Sequence, residues 1–211
     1  MATILRTWSY HYPWLYQAIA RTTAALVGGF DRLHQLPLQG LEMKPQDQVL
    51  DLCCGRGEAT QYLAQYSQQV TGLDASPKAL AVARKAVPNA TFVEGWAQDL
   101  PFANASFDLV HSSLALHELT PEVLDQTLRE VHRVLKPEGI FTALDFHRPT
   151  QPWLWPGLSV FFWLFETETA WQLLETDLAT LFEKIGFNNC QQSFYVGGFL
   201  QVIQAQIPEQ K

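Results

Sequence analysis

Val49-Leu50-Asp51-Leu52-Cys53-Cys54-Gly55-Arg56-Gly57 decides how this chain is read, as an apolar strand ending in a carboxylate runs directly into a turn with two glycines. Glycine between a strand and a helix lets backbone N–H groups come close to a ligand that any Cβ would hold away. The turn is therefore expected to cradle a nucleotide-like ligand. Against the dinucleotide fingerprint G-x-G-x-x-G/A, the run Gly55-Arg56-Gly57-Glu58-Ala59-Thr60 fails at its third small position, which disfavours a nicotinamide cofactor. Downstream, Gln69-Val70-Thr71-Gly72-Leu73-Asp74 reads as a second short strand ending in an acid. It lies near the ~20-residue offset at which nucleotide folds place a ribose-binding carboxylate. An ionised carboxylate accepts through two oxygens, so Asp74 suits the paired hydroxyls of an unmodified ribose and repels a 2′-phosphate.

Strand and helix alternate beyond this point. Ala59, Leu63 and Tyr66 stand at helical spacing, and Ser76-Pro77 supplies an N-cap and a first-turn proline for a helix to about Ala86. Strands follow at Ala90 to Glu94 and Ser106 to Ser112, then a helix capped by Thr120-Pro121 with Leu124, Leu128, Val131 and Leu135 on one face. Lys136-Pro137-Glu138-Gly139 stops it, and a fifth strand runs from Ile140 to about Phe146. Such β-α units call for a parallel sheet with helices on both faces. Past Phe146, Trp153 to Phe165 is apolar almost throughout, but at ~13 residues, broken by Pro156-Gly157, it falls short of the ~20 needed to span a bilayer. An amphipathic helix marked by Trp171, Leu174, Leu178, Leu181, Phe182 and Ile185 ends at Gly186. Two final strands, Gln191 to Val196 and Phe199 to Gln206, are joined by Gly197-Gly198 as a hairpin.

With 211 residues, 47% hydrophobic and 17% charged, the chain suits one α/β domain with a full core. A net charge of −7 argues against a nucleic-acid partner, which needs clustered Lys and Arg. Cys53, Cys54 and Cys190 form neither a disulfide framework nor a metal-binding spacing, so reduced thiols in a cytoplasmic protein and no metal site are expected. Met1 to Trp14 has no apolar core of signal-peptide length. Before the first strand, Leu15, Ile19, Leu26 and Val27 can line a helix from Trp14 to about Val27 that Gly28-Gly29 would end. That helix has two readings: packing on the sheet edge, or capping the site.

Read from its acid, the first turn is D-x-x-x-G-x-G, and it resembles motif I, D-x-G-x-G-x-G, of the class I S-adenosylmethionine (SAM) methyltransferases, with Cys53 where the first glycine usually stands. Gly95-Trp96-Ala97-Gln98-Asp99-Leu100-Pro101-Phe102 is similar to the family's G-D-A-x-x-L-P-F loop. The stretches Phe107-Asp108-Leu109-Val110, Leu116-His117-Glu118-Leu119 and Arg133 to Gly139 resemble F-D-x-V, L-H-H-L and R-V-L-K-P-G-G of its ubiquinone/menaquinone-methyltransferase-like branch. The resemblance spans about residues 47–147. It implies a Rossmann-like, doubly wound seven-stranded α/β sheet, mostly parallel, with an antiparallel C-terminal hairpin. The chain would divide into an N-terminal helical cap (1–45), a SAM-binding core (46–147), an apolar lid or acceptor segment (148–168) and a C-terminal helix and hairpin (169–211).

The resemblance further implies that SAM, with S-adenosylhomocysteine as product, is held by Asp51, Cys53, Gly55, Gly57, Asp74, Ala75, Trp96, Ala97 and His111. Trp96 replaces the acid that holds the adenine amine in the family; it either stacks on the base or fills the sheet end. Methyl transfer from a sulfonium needs little beyond in-line positioning, worth on the order of 7–11 kcal/mol. An acceptor that must lose a proton benefits from a base. His117 is the candidate, with a rate-profile limb expected near the ~6.5 pKa of imidazole, and a structural role is its other reading. No D/N-P-P-Y/F signature of nucleic-acid amino methylation follows the fourth strand. The expected acceptor is a small, apolar or aromatic molecule, one that a peripheral membrane contact could supply. A SAM-binding protein without turnover and a nicotinamide oxidoreductase stand as the alternatives.

Overall fold

The computed structural model describes residues 24, 25 and 27–209. Val49, Leu50, Leu52, Val70, Leu73, Val110 and Phe141 are buried whichever way they point along their strands. Strands buried on both sides need helices over both faces, and the chain supplies them. In order, the described elements are α1 (Phe30–Gln35), β1 (Gln48–Leu52), α2 (Glu58–Leu63), β2 (Gln69–Asp74), α3 (Pro77–Ala86), β3 (Thr91–Glu94), β4 (Phe107–Ser113), α4 (Pro121–Val134), β5 (Leu135–Phe146), α5 (Trp155–Phe165), α6 (Glu168–Leu174), α7 (Leu178–Ile185), β6 (Asn188–Tyr195) and β7 (Leu200–Gln206). One seven-stranded sheet runs β3-β2-β1-β4-β5-β7-β6. Its first five strands pair in parallel, and β7 lies antiparallel between β5 and β6. This is the expected Rossmann-like architecture, closed by the Gly197-Gly198 hairpin.

Helix starts follow their caps. The Ser76 hydroxyl accepts the Ala79 N–H ahead of Pro77, and the Thr120 hydroxyl accepts the Val123 N–H ahead of Pro121. On one face of the sheet, Leu124, Leu128 and Val131 of α4 pack with Phe182, Leu50, Leu52 and Phe141. A second cluster joins Leu33, Leu36, Phe162 and Ala170 to Leu144, Phe146 and Leu200.

Several boundaries depart from the sequence reading. Lys136-Pro137-Glu138-Gly139 does not precede the fifth strand but lies inside it as a bulge. Phe107 faces Leu135 and the next registered pair is Leu109 with Ile140, while Glu138 takes φ 61. Pro137 has no ladder N–H to lose there. The helix expected across Trp171 to Ile185 is two, because the Asp177 carboxylate caps α7 through the Thr180 N–H and hydroxyl. Pro156-Gly157 does not break the apolar segment. The proline opens α5 from its first turn, where the N–H it lacks would have had no helical partner. Tyr66 lies beyond the end of α2 and is exposed, so it shares no buried face with Ala59 and Leu63. Of the expected helix from Trp14, Ala24 and Ala25 are helical and Gly29 donates to the Ala24 carbonyl at φ 112. Its earlier residues and the aromatic run Trp8 to Tyr16 lie outside the described residues.

Strand β6 forms the outer edge, mostly exposed, with Asn189 at φ 51 where the register against β7 slips between Asn188 and Gln191. No helix among the described residues is long and apolar enough to cross a membrane.

Gly72 in β2 ties this sheet to the glycine turn. A Cβ there would sit 2.8 Å from the Phe92 ring and 2.9 Å from Cys54 Sγ. Gly72→Ala is expected to overpack this point and cost about 1–3 kcal/mol, read as a fall in the urea midpoint.

Candidate active site

The carboxyl ends of β3, β2 and β1 lie side by side, and the turn after β1 is pinned to β2. Cys54 donates its N–H to the Leu73 carbonyl at 2.9 Å, and Gly55 donates its N–H to Asp74 Oδ2 at 2.8 Å. The other oxygen of Asp74 accepts the Ser76 N–H at 2.8 Å. The acid expected to hold a ribose thus also holds the glycine turn. Gly57, at φ 87, is required for packing, since a Cβ would meet Ala83 Cβ at 3.2 Å. At Gly55, φ 55, a Cβ would meet nothing within 4 Å, so this turn opens on to free space. Cys53 takes φ 56, the left-handed conformation that suits the glycine of the family pattern. Burial, then the charges of Asp74, Asp51 and Asp145, push its thiol up to about 12. It is therefore no nucleophile at neutral pH.

Asp51 and His111, expected at the cofactor, are each only 1% exposed and face one another. Asp51 Oδ1 lies 2.9 Å from His111 Nδ1, and Oδ2 accepts the Thr60 hydroxyl at 2.6 Å. Thr60 occupies the position where the dinucleotide fingerprint fails, and its hydroxyl is the reason a threonine stands there. Asp51 therefore braces α2 and β4 from behind the turn.

Trp96 is 64% exposed beside the ends of β2 and β3 and forms an antiparallel bridge with Asp99. It does not fill the sheet end, and Ala75, which follows β2, is exposed as well. Ala97 is buried. The loop that follows is fastened by Arg133. One guanidinium nitrogen donates to the Phe102 carbonyl at 2.8 Å and to Asn104 Oδ1 at 2.9 Å; the other donates to the Leu100 carbonyl at 3.0 Å and to Glu130 at 2.7 Å. Glu130 in turn accepts the Leu100 N–H at 2.8 Å.

Over β4 and β5 lies a second group of polar side chains. His117 is 6% exposed, with Nδ1 2.7 Å from Asp145 Oδ1 and its ring 4.7 Å from that of Phe146. Asp145 also accepts the N–H groups of Leu116, His117 and Phe146 at 2.8, 3.3 and 2.7 Å. Burial alone would lower the His117 pKa, but the charge and hydrogen bond of Asp145, with Glu118 and Glu166 behind them, outweigh it and raise it to about 10. An imidazole so placed carries its proton at neutral pH, so the expected limb near 6.5 does not follow from this residue. Asp145, Glu118 and Glu166 escaped the sequence reading. Asp145 had a signal, since Ala143-Leu144-Asp145 repeats the pattern of an apolar strand ending in an acid. An open cleft of about 630 Å³ beyond β5, lined by His147, Arg148, Glu175 and Asp177 among others, shares no residue with the glycine turn.

Comparison with known proteins gives this geometry its class. Residues 49–139 match the methyltransferase domain family. The chain is 57% identical over 205 residues to the uncharacterized methyltransferase sll0829 of Synechocystis sp., covering 97% of each. It belongs to the class I SAM-dependent methyltransferases, of the quinone-methyltransferase-like type, and is an enzyme of that class. To the 2-phytyl-1,4-naphtoquinone methyltransferase of Nostoc sp. it is 39% identical over 115 residues, spanning 50% of this chain and 49% of that protein. In fold it resembles the YcgJ protein of Bacillus subtilis (TM-score 0.60, 20% identity, 85% of this chain and 100% of that one). It likewise resembles a SAM-dependent methyltransferase of Mesorhizobium loti (TM-score 0.64, 22% identity, 84% and 100%).

Two substitutions separate the pieces of this site. Asp74→Ala removes the anchor of Gly55 together with the acid expected to accept a ribose, and is expected to weaken SAM binding roughly 10–100-fold by calorimetry, the loss of a charge-assisted contact. Arg133→Met orphans the Phe102 carbonyl and leaves that of Leu100 with the Phe102 N–H alone. It should cost about 2 kcal/mol of folding stability in a urea titration.

Proposed function

We propose that this enzyme transfers the methyl group of SAM to a small lipophilic acceptor, an aromatic or quinone-like ring, at carbon or oxygen. The observation that carries this reading is the apolar helix α5, which follows the β5 end and leaves Trp153, just before it, and Trp163, within it, 73% and 69% exposed. Exposed aromatics of that size cost free energy unless something apolar covers them. The quinone methyltransferase named among its relatives supports an acceptor of the same chemistry.

The chain's residues fit SAM at the β1–β3 edge: Gly55 opens on to free space, Asp74 keeps lone pairs for a ribose, and Trp96 presents a flat face for the adenine. Cys53, Gly57, Ala75 and Ala97 shape the same cradle through backbone and small side chains, while Asp51 and His111 hold it from below. Bound SAM supplies an electrophilic methyl on a sulfonium. What remains for the protein is to hold the acceptor in line and keep water away. The Phe146 and Phe162 rings, 5.2 Å apart, join β5 to α5 and fix the apolar wall beside that line. His117, buried against Asp145 with its ring 4.7 Å from that of Phe146, braces this wall.

Incubation with isotopically labelled SAM and a panel of acceptors is expected to label lipophilic hydroquinones and leave charged, water-soluble phenols unlabelled. Trp163→Ala should raise the KM for the acceptor several-fold while the KM for SAM holds. Preferential labelling of a charged acceptor, or equal effects on both constants, would overturn the reading.

A further inference from the structure

Three donors converge where the loop after β4 meets the end of α5. His117 Nε2 lies 3.6 Å from Glu118 Oε1 and 3.8 Å from Glu166 Oε2, and the three ligand atoms are all within 4.8 Å of one another. His117 is more than nine-tenths buried, and its Nε2 faces both carboxylates. A tetrahedral ion with bonds of ~2.1 Å sets its donors about 3.4 Å apart. The observed spacings surround a volume of that size, and small side-chain movements would close it. Behind the imidazole, Asp145 Oδ1 grips Nδ1 at 2.7 Å and is itself fixed by three backbone N–H groups. A carboxylate on the far nitrogen is the arrangement that orients a metal-bound histidine and raises its basicity. Sequence spacing gave no warning, since Glu166 is far along the chain from His117 and Glu118.

We infer that His117 Nε2, Glu118 and Glu166 bind one divalent first-row transition ion, which displaces the Nε2 proton to solvent, Zn²⁺ being the natural occupant of a site with one imidazole and two carboxylates. Imidazole selects such ions over Mg²⁺ and Ca²⁺, and two carboxylates balance the charge of a divalent ion. With three protein ligands, the fourth position is left for an exchangeable oxygen ligand. The ion would also fasten Glu166, the residue that caps the C-terminal end of α5, to the loop after β4, and so hold the apolar helix against the sheet.

The test uses the full chain, stripped with EDTA, dialysed against Zn²⁺ and assayed for bound metal by mass spectrometry, with thermal unfolding recorded with and without the ion. One equivalent should be retained, with a rise in Tm. Glu166→Gln and His117→Gln should each weaken binding at least tenfold, as loss of a ligand does, and Cys190→Ser should leave it unchanged. Substituted Co²⁺ should show d–d bands without a thiolate charge-transfer band. The proposal fails if no stoichiometric ion binds, if both ligand variants bind as well as the parent, or if the charge-transfer band places the ion on cysteine. Should His117→Gln not fold, Glu166→Gln at the half-buried helix end decides alone. None of these readouts involves methyl transfer, so the outcome is independent of the acceptor.

Discussion

A carboxylate cut off from water has to be given hydrogen-bond donors by the protein, because an unpartnered buried charge is far costlier than the net stability of a domain permits. Asp51 and Asp145 are both in that position, and they set the layout of the sheet's carboxyl edge. Asp51 collects Thr60 and His111, which fixes α2 against β1 and β4. Asp145 collects the backbone of Leu116, His117 and Phe146 together with the His117 ring, which fixes the loop after β4. On the side of β1 away from β5, the more accessible Asp74 spends one oxygen on Gly55 and the other on Ser76. Each of these strands ends in an acid, and each acid dictates where the departing chain goes.

The core of the fold was legible because its signals are local. A strand ending in an acid, a glycine turn, Ser-Pro and Thr-Pro helix starts and a Gly-Gly hairpin each act over a few residues, and all of them reappear in the structure. What was not legible depends on partners distant in sequence. The bulge of β5 is imposed by pairing with β4, and the split between α6 and α7 comes from Asp177, a cap signal masked by a hydrophobic period that continues across it. Asp51 stands before the turn and His111 near the end of β4, and nothing in the sequence links the two. Only the register that sets one opposite the other shows that each satisfies its neighbour.

The same distinction applies to the family-like motifs. Asp108 accepts the Gln48 N–H and the Lys136 ammonium at 2.8 and 2.7 Å, which joins the starts of β1, β4 and β5 far from the glycine turn. Arg133 ties down the loop between β3 and β4. These residues shape the sheet edge from outside it, whereas the surfaces proposed for ligands, Gly55, Ala75, Trp96 and the exposed side of α5, carry few hydrogen bonds of their own. That division suits a reaction in which placement does most of the chemical labour.

The kink in β6 also governs how copies of the chain behave toward one another. A long, flat outer strand would offer its unpaired amides and carbonyls as a template on which a second sheet could grow. Here the left-handed Asn189 bends that margin, and the exposed Asn188 and Gln191 keep it wetted. A second copy therefore meets no long, flat ladder at β6 on which to extend the sheet.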